Sequence, residues 1–230
     1  MEQEPSLLQD GGAPLSAAPL NAPPLNAHGP AEAGQIIILN GAPRSGKSSI
    51  AAAIQESFDG VWMNLGVDHF MAMMPARCRP GLGLRPGGEA PDLEPLVVLL
   101  YQALYGSIAA HSRLGLNVVV DVGHHDSYSV PRRILPRCAR ILAGLPVLFV
   151  GVRCPLDIIL ERRIATGYPS GSKESPPAAV LRWQEQVHIP GIYDFEVDTS
   201  LLGPESCAAA IRHRLDHGPA PTAFSAHTLE

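Results

Sequence analysis

Residues 41–48 read Gly-Ala-Pro-Arg-Ser-Gly-Lys-Ser and match the phosphate-binding pattern G-x-x-x-x-G-K-[ST] at every defined position. A short apolar run, Gln35 to Leu39, precedes this segment, and a stretch of helical character, Ser48 to Phe58, follows it. In this context the glycines let the backbone curl, so that successive N–H groups point at phosphate oxygens, and the start of the helix adds a positive field. The segment therefore predicts a nucleotide-binding P-loop.

The polar side chains of this loop have expected partners in a bound nucleotide. Lys47 can reach the β- and γ-phosphates, and the Ser48 hydroxyl can bind magnesium. A second apolar run, Leu116 to Val120, ends in Asp121, and an aspartate in that place beside a P-loop holds the water shell of the metal. The predicted cofactors are ATP and Mg²⁺, with Ser48 and Asp121 at the metal. The loop residues predicted to contact the nucleotide are Gly41, Ala42, Pro43, Arg44, Ser45, Gly46, Lys47, Ser48 and Ser49.

Apolar runs of strand length alternate with stretches of helix length along the rest of the chain. This order predicts an α/β fold of the P-loop NTPase class, with a parallel sheet of about five strands covered by helices on both faces. The carboxyl ends of the strands should build the site. Besides the first strand, the predicted elements are the strands Trp62–Val67, Leu116–Val120, Val147–Val152 and Phe195–Val197, and a helix over Pro95–Arg113.

Both ends of the chain differ in composition from its centre. Residues 1–34 are rich in proline and alanine and contain near-repeats of five, so they predict a disordered tail. Residues 217–230 predict a second, shorter flexible tail, which leaves 35–216 as the catalytic domain.

Composition excludes several other classes of protein. The net charge of −5 argues against a nucleic-acid partner, which would need a basic surface. No apolar stretch reaches the roughly 20 residues of a membrane-spanning helix, and no secretory signal is recognisable. The four cysteines are scattered and predict reduced thiols, so we expect a cytoplasmic protein. The sequence gives no indication of oligomeric state.

The positions of the two lysines exclude the GTPases among P-loop proteins. Only Lys47 and Lys173 are present, so the Asn-Lys-x-Asp guanine reader of a GTPase is absent. A small kinase and a plain ATP-binding module remain, and Asp68, predicted to end the second strand, distinguishes them. A carboxylate there could orient an attacking hydroxyl or accept its proton, or it could cap the helix that follows.

Several segments together resemble the chloramphenicol phosphotransferase-like family over about Gln35 to Leu215. The segments that carry the resemblance are 36–47, Gly66-Val67-Asp68, Met74-Pro75, Asp121, Val150-Gly151-Val152-Arg153-Cys154 and 193–199. The resemblance implies an ATP-dependent O-phosphotransferase with an NMP-kinase-like fold.

The same resemblance implies roles for individual residues. Asp68 takes the position of the proposed general base, and Arg162 matches a lid arginine, in a lid of about 162–180, that contacts the nucleotide or the transferring phosphoryl group. Asp198 and Thr199 match the loop that borders the adenine. The sequence departs from the family where 166–169 read Thr-Gly-Tyr-Pro in place of Arg-Gly-Asp-Arg. Arg163 or Lys173 could replace the missing cation.

Residues around Asp68 and after Asp121 are candidates for the acceptor pocket. Phe70 and three methionines follow Asp68 and could contact an aromatic or apolar alcohol or pack in the core. The arginines of the next loop, Arg77, Arg79 and Arg85, could bind a polar or anionic acceptor or remain solvated. His124-His125-Asp126 could contact the substrate or form a polar loop.

We therefore expect transfer of the γ-phosphate to a small-molecule hydroxyl, with chloramphenicol or a similar antibiotic as one candidate acceptor. An ATP-binding regulatory protein with a degraded lid and a toxin-like nucleotide-sugar kinase are the alternatives.

Overall fold

The computed structural model describes residues 32–79, 91–167 and 175–229. Five strands form one sheet in the order β2-β3-β1-β4-β5, and every neighbouring pair is parallel. The strands are β1 (Ile36–Asn40), β2 (Trp62–Asn64), β3 (Asn117–Val122), β4 (Val147–Arg153) and β5 (Phe195–Asp198).

Helices connect these strands and cover both faces of the sheet. They are α1 (Lys47–Ser57), α2 (Val67–Ala72), α3 (Glu94–Arg113), α4 (Ile134–Ile141), α5 (Leu156–Ala165), α6 (Ala178–Gln186), α7 (Pro204–His217) and the short α8 (Ala223–Ala226). Short 3₁₀ turns lie at Ala76–Cys78, Pro91–Leu93 and His227–Leu229. Within the described residues, no helix is long and apolar enough to cross a membrane.

The wholly apolar sequence of β1 explains why helices pack on both faces of the sheet. Side chains alternate between the two faces of a strand, so a strand buried on both sides needs apolar residues throughout. Ile36 and Ile38 pack in the cluster formed with α3 and α4. Ile37 and Leu39 pack on the other face, in the cluster formed with α1 and α7. This arrangement confirms the predicted parallel sheet with helices on both faces.

The second strand is shorter than predicted. It ends at Asn64, and the chain turns at Gly66, whose backbone N–H donates to Asn64 Oδ1 at 3.2 Å. Val67, predicted as the end of the strand, begins α2 instead, so Asp68 lies in the first turn of a helix. The prediction that Asp68 ends a strand was therefore wrong, because the turn at Leu65-Gly66 interrupts a continuous apolar run.

The C-terminal segment is packed, which corrects the predicted flexible tail from 217. Phe224 in α8 is 2% exposed. Its ring stacks on Tyr105 at 6.0 Å and meets Phe149 edge-on at 5.1 Å. Asp194 Oδ1 accepts hydrogen bonds from the backbone N–H groups of Thr222 and Ala223, which fixes the start of α8.

The N-terminal tail also ends earlier than predicted. Gly34 is buried, its N–H donates to Ser112 O at 2.8 Å, and its carbonyl accepts from Ser112 Oγ at 2.7 Å. The predicted tail of 1–34 otherwise lies outside the described residues, as do Arg85, Lys173 and much of the predicted lid.

Candidate active site

The segment between β1 and α1 forms the tight loop expected of a phosphate cradle. Arg44 and Gly46 adopt left-handed backbone conformations, with φ of 70° and 96°, and Ser45 N–H donates to Ala42 O at 3.1 Å. Ala42 and Ser45 are buried, with 2% and 1% of each whole residue exposed.

Lys47 lies folded back over this loop. Its Nζ donates to Ala42 O at 2.8 Å. Burial lowers the pKa of this ammonium group to about 8, although the nearby carboxylates of Asp121 and Asp68 act in the opposite direction. A phosphate group would offer the ammonium a stronger partner than one carbonyl oxygen.

Ser48 and Asp121 meet at the start of α1. The Ser48 hydroxyl donates to Asp121 Oδ2 at 2.7 Å, and both residues line the same cleft as Lys47. Their oxygens are the hard ligands that Mg²⁺ takes in kinase sites, where phosphate oxygens and waters complete the coordination. The donor set therefore fits a magnesium ion that arrives with a nucleotide.

Asp68 lines this cleft from the first turn of α2. The N-cap of α2 is Gly66, and no side chain caps it, which contradicts the helix-cap interpretation of Asp68. Gly66 lies so close to Asp121 that a Cβ built on it would be 1.9 Å from Asp121 Oδ1. A glycine at 66 thus lets α2 start directly beside the Asp121 carboxylate.

Arg162, in the last turn of α5, joins the P-loop to the loop after β5. Its Nη1 donates to Thr199 Oγ1 at 3.0 Å and to Arg44 O at 3.3 Å, and its Nη2 donates to Thr199 O at 2.7 Å. The Thr199 hydroxyl in turn donates to Ser45 O at 2.7 Å. The guanidinium group therefore lies at the cleft wall, held against the phosphate loop.

The two residues predicted to border the adenine differ in position. Thr199 lines the cleft, whereas Asp198 is not among the described lining residues. Asp198 Oδ1 accepts hydrogen bonds from Ser200 N and Ser200 Oγ at 2.8 and 2.6 Å, so its carboxylate is used within its own loop. This arrangement does not favour a direct contact between the Asp198 carboxylate and a nucleotide.

His124 and His125 are core residues, which corrects the predicted polar loop and substrate contact. His124 is 2% exposed, its Nε2 lies 2.6 Å from Tyr105 Oη, and its ring stacks on Tyr101 at 5.0 Å. Burial, with smaller contributions from His125 and His227, lowers the pKa of His124 to about 3. His124 is therefore neutral near pH 7.

Of the side chains that follow Asp68, some pack in the core and others are exposed to solvent. Met71 is 6% exposed and packs inside, whereas Met73 is 72% exposed. Arg79 donates from Nε to Met74 O and from Nη2 to Ala72 O, so it holds the end of α2. Arg77 is exposed in the following 3₁₀ turn.

The cleft that collects these groups has a volume of about 980 Å³. Sequence reasoning missed its α6 side, because Val180 and Trp183 have the spacing of ordinary core residues and no polar motif marks them. Arg163, proposed from sequence as a replacement cation, also lines the cleft at 8% exposure. The residues that line the cleft include Lys47, Ser48, Asp68, Asp121, Arg162 and Trp183.

Comparisons with known proteins agree with this architecture. The family description for chloramphenicol phosphotransferase-like proteins matches residues 34–216, so the chain belongs to that family. A Mycobacterium tuberculosis protein named "Putative O-phosphotransferase" is 29% identical over an alignment 208 residues long, and the alignment covers 84% of this chain and 87% of that protein.

Two solved structures show the same fold. The Deinococcus radiodurans tunicamycin resistance protein has a TM-score of 0.53 at 19% identity, covering 80% of this chain and 96% of its own. The M. tuberculosis APS kinase, solved with AMPPNP and APS, has a TM-score of 0.55 at 17% identity, covering 80% and 98%. Family and fold together make this chain a small-molecule kinase, which confirms the predicted fold and enzyme class.

Proposed function

We propose that this member of the chloramphenicol phosphotransferase-like family transfers the γ-phosphate of ATP, with Mg²⁺, to a hydroxyl group of a small-molecule acceptor. The single observation that carries the proposal is that Lys47, Ser48, Asp68 and Asp121 line one cleft at the P-loop. A cation, two metal ligands and a free carboxylate are the groups that phosphoryl transfer to an alcohol requires.

In the proposed reaction the acceptor oxygen attacks the γ-phosphorus. A new P–O bond forms, the bond to the bridging β–γ oxygen breaks, and ADP leaves with the electron pair. Asp68 orients the hydroxyl group and accepts its proton. Lys47 neutralises charge on the β- and γ-phosphate oxygens, and Arg162 stabilises the nucleotide from the part of the cleft wall that lies beside the P-loop. Ser48 and Asp121 would hold Mg²⁺, which supplies further charge neutralisation at the phosphates.

Nucleotide contacts are proposed for the P-loop backbone and for Thr199. The backbone from Gly46 to Ser49 offers N–H donors at the start of α1, whereas Pro43 has no N–H and those of Gly41 and Ser45 donate to Val122 O and Ala42 O. We propose a cytoplasmic location because ATP is supplied there.

The experiment combines a transfer assay with nucleotide binding. Purified protein is incubated with [γ-³²P]ATP, Mg²⁺ and a panel that contains chloramphenicol, other hydroxylated antibiotics, sugars, nucleosides and nucleotide sugars. Asp68→Asn should keep nucleotide binding and lose transfer, whereas Lys47→Ala should weaken both. Asp216→Asn, which changes an exposed carboxylate on α7, is the matched control. Full transfer by Asp68→Asn would remove the proposed base.

The alternatives give different outcomes in the same assay. Nucleotide binding with no label on any acceptor favours a regulatory ATP-binding protein. The observation behind that alternative is that α5 ends at Ala165 and Thr166-Gly167 follow where the family has a lid arginine. Label confined to the nucleotide sugars favours a toxin-like nucleotide-sugar kinase.

A further inference from the structure

Arg44 has a backbone conformation that ordinarily belongs to glycine. Its φ is 70°, and Gly46, two residues later, has a φ of 96°. In this left-handed region a residue with a Cβ atom is strained, whereas glycine adopts it freely. The phosphate-binding pattern leaves position 44 undefined, so a glycine there would form the same loop with less strain. The shape of the loop therefore does not explain why this position carries an arginine.

Two side chains from outside the P-loop hold this conformation. Arg162 Nη1 donates to Arg44 O at 3.3 Å, and Thr199 Oγ1 donates to Ser45 O at 2.7 Å. Arg162 also donates to the hydroxyl and to the carbonyl oxygen of Thr199. Strained backbone persists where the surrounding structure fixes it, and such residues concentrate at functional sites. The carbonyl groups of Arg44 and Ser45 are thus held from α5 and from the loop after β5.

Arg44 is one of six charged side chains that line the cleft within the described part of the chain. The cations are Arg44, Lys47, Arg162 and Arg163, and the carboxylates are Asp68 and Asp121. The cations exceed the carboxylates by two, which suits a magnesium-bound triphosphate. Lys47 and Arg162 donate to carbonyl oxygens of the P-loop, and Arg163 is buried at 8% exposure. Arg44 is half-buried and brings its charge to the cleft from a fixed position in the loop.

The α6 side of the cleft adds no charge to this set. Its lining residues are Pro177, Ala179, Val180 and Trp183. Trp183 lies so close to the backbone after β3 that a Cβ built on Gly123 would be 2.5 Å from its Cζ3. Because this wall is apolar, a phosphate chain in the cleft finds its cationic partners on the P-loop and on α5.

We propose that the Arg44 guanidinium group binds the phosphate chain of ATP and stabilises the charge that develops there during transfer. This charge is spread over the oxygens of the transferring and leaving groups, and an arginine that contacts them can change kcat by orders of magnitude. A guanidinium group can bind two phosphate oxygens at once, which the ammonium group of Lys47 does not do. Because Arg44 is part of the P-loop, its charge is in place when the nucleotide binds. The inference rests on the proposed kinase function.

Arg44→Gly separates the side chain from the shape of the loop. The variant keeps the left-handed turn and removes its strain, so the midpoint of thermal unfolding should rise by about 2–4 °C. It should bind MgATP about tenfold more weakly, whereas its affinity for AMP, which lacks the β- and γ-phosphates, should change less than about twofold. Transfer from [γ-³²P]ATP to the acceptors that the wild type labels should fall by about 100-fold or more. Calorimetry measures both affinities, with AMP titrated in competition with ADP.

Arg133→Gly is the matched control. Arg133 also has a left-handed backbone, with a φ of 52°, but it is exposed and is not among the described residues that line the cleft. Its backbone N–H donates to Asp126 Oδ1 at 2.9 Å, a bond that glycine keeps. This variant should raise the unfolding midpoint in the same direction and leave ATP affinity and transfer unchanged.

Arg44→Gln is a second variant, which removes the charge but keeps the Cβ atom and its strain. It should lose ATP affinity and transfer as the glycine variant does, without the rise in unfolding midpoint. Loss of function in both variants, with a gain in stability in one alone, is the result that a residue with a merely structural role would not give.

The outcomes separate this inference from the proposed function. Wild-type ATP affinity and transfer in Arg44→Gly would overturn the inference while the kinase assignment stands. Equal losses of ATP and AMP affinity would also overturn it, because the variant would then have disturbed the cleft as a whole. If the wild type binds MgATP but labels no acceptor, the proposed function fails and the two affinities still decide on Arg44. If Arg44→Gly does not fold, Arg44→Gln decides by the same comparison.

Discussion

The Ser48 hydroxyl donates a 2.7 Å hydrogen bond to Asp121 Oδ2 and so joins residues 73 positions apart in the sequence. In a magnesium complex both oxygens would turn to the metal. We expect Ser48→Ala to weaken Mg²⁺-dependent nucleotide binding by about 10–100-fold, with a smaller effect when Mg²⁺ is absent. Calorimetric titration with and without Mg²⁺ measures the difference.

Ser57 provides a matched control in the same helix, because its hydroxyl donates to Ala53 O away from the site. Ser57→Ala should leave nucleotide affinity unchanged. Equal losses with and without Mg²⁺ in Ser48→Ala would argue that the hydroxyl group does not act through the metal.

Because Gly66 lies so close to Asp121, adding a single methyl group at position 66 should strongly reduce kcat. Gly66→Ala places a Cβ 1.9 Å from Asp121 Oδ1, so either the carboxylate or the start of α2 has to move. Because Asp68 lies two residues further on, we expect kcat to fall by about 100-fold or more, since small misplacements of reacting groups cost that much.

Gly106→Ala is the control, because nothing lies within 4 Å of a Cβ there and the site is an exposed position of α3. It should keep full activity and raise the free energy of unfolding by about 0.5–1 kcal/mol. Normal turnover in Gly66→Ala would show that the two segments separate at little cost.

The lowered pKa of Lys47, about 8, predicts a pH dependence of nucleotide binding. Bound phosphates favour the charged ammonium, so its pKa rises in the complex and binding takes up a proton above about pH 8. Affinity should therefore fall as the pH rises from 8 to 9. Calorimetry at pH 8.5 in buffers of different ionisation enthalpy measures the proton uptake.

Lys47→Arg keeps its charge throughout this range. It should show little proton uptake, whatever its absolute affinity. Equal uptake by the variant and the wild type would assign the proton to another group.

Buried neutral histidines predict loss of stability in acid. The pKa of His124 in the folded protein, about 3, lies below the usual histidine pKa of 6.5, so the unfolded state binds the proton first as the pH falls. Stability is fully present above pH 6.5, and the free energy of unfolding should fall by about 1 kcal/mol per pH unit between 6.5 and 3. His188, with a pKa lowered to about 4 mainly by burial, acts in the same direction.

Urea unfolding at pH 5.5, 6.0 and 6.5 measures this slope. His124→Gln should lower stability at pH 7, because Tyr105 loses its imidazole partner, and should also make the slope shallower. An unchanged slope in the variant would exclude His124 as a source of the acid sensitivity.

The packing of Phe224 predicts that the C-terminal segment contributes to stability. Phe224→Ala removes a ring that is 2% exposed between Tyr105 and Phe149, and should lower the free energy of unfolding by about 3–5 kcal/mol. Leu201→Ala, at a side chain 80% exposed, should change it by less than about 0.5 kcal/mol. Similar midpoints for the two variants in chemical denaturation would mean that α8 does not pack in solution.

The sequence predicted those parts of the fold that local pattern determines. The P-loop is a contiguous motif, β1 is apolar on both faces, and apolar runs of strand length alternate with stretches of helix length, so the parallel sheet could be inferred from the sequence. Asp121 was expected just after a buried strand; it is in fact the penultimate residue of β3, where its carboxylate accepts a hydrogen bond from Ser48.

Long-range packing accounts for what the sequence did not predict. Asp68 lies in a helix because the chain turns at Gly66, where Gly66 contacts Asp121. This contact joins segments that are distant in the sequence. Phe224 follows prolines and alanines typical of a tail, and only its neighbours Tyr105 and Phe149 show that it belongs to the core. His124 looks like a polar loop residue until Tyr105 and Asn40 provide its hydrogen bonds.

The contact between Gly123 and Trp183 has a consequence for how this family can vary. The indole fills the volume that a side chain at 123 would need, so bulk at one position excludes bulk at the other. Across related chains we expect the two positions to covary, with a smaller residue at 183 wherever 123 carries a Cβ. Substitutions at these two positions would then be tolerated only in pairs, and laboratory evolution that varies either position alone would lose the combinations that pack.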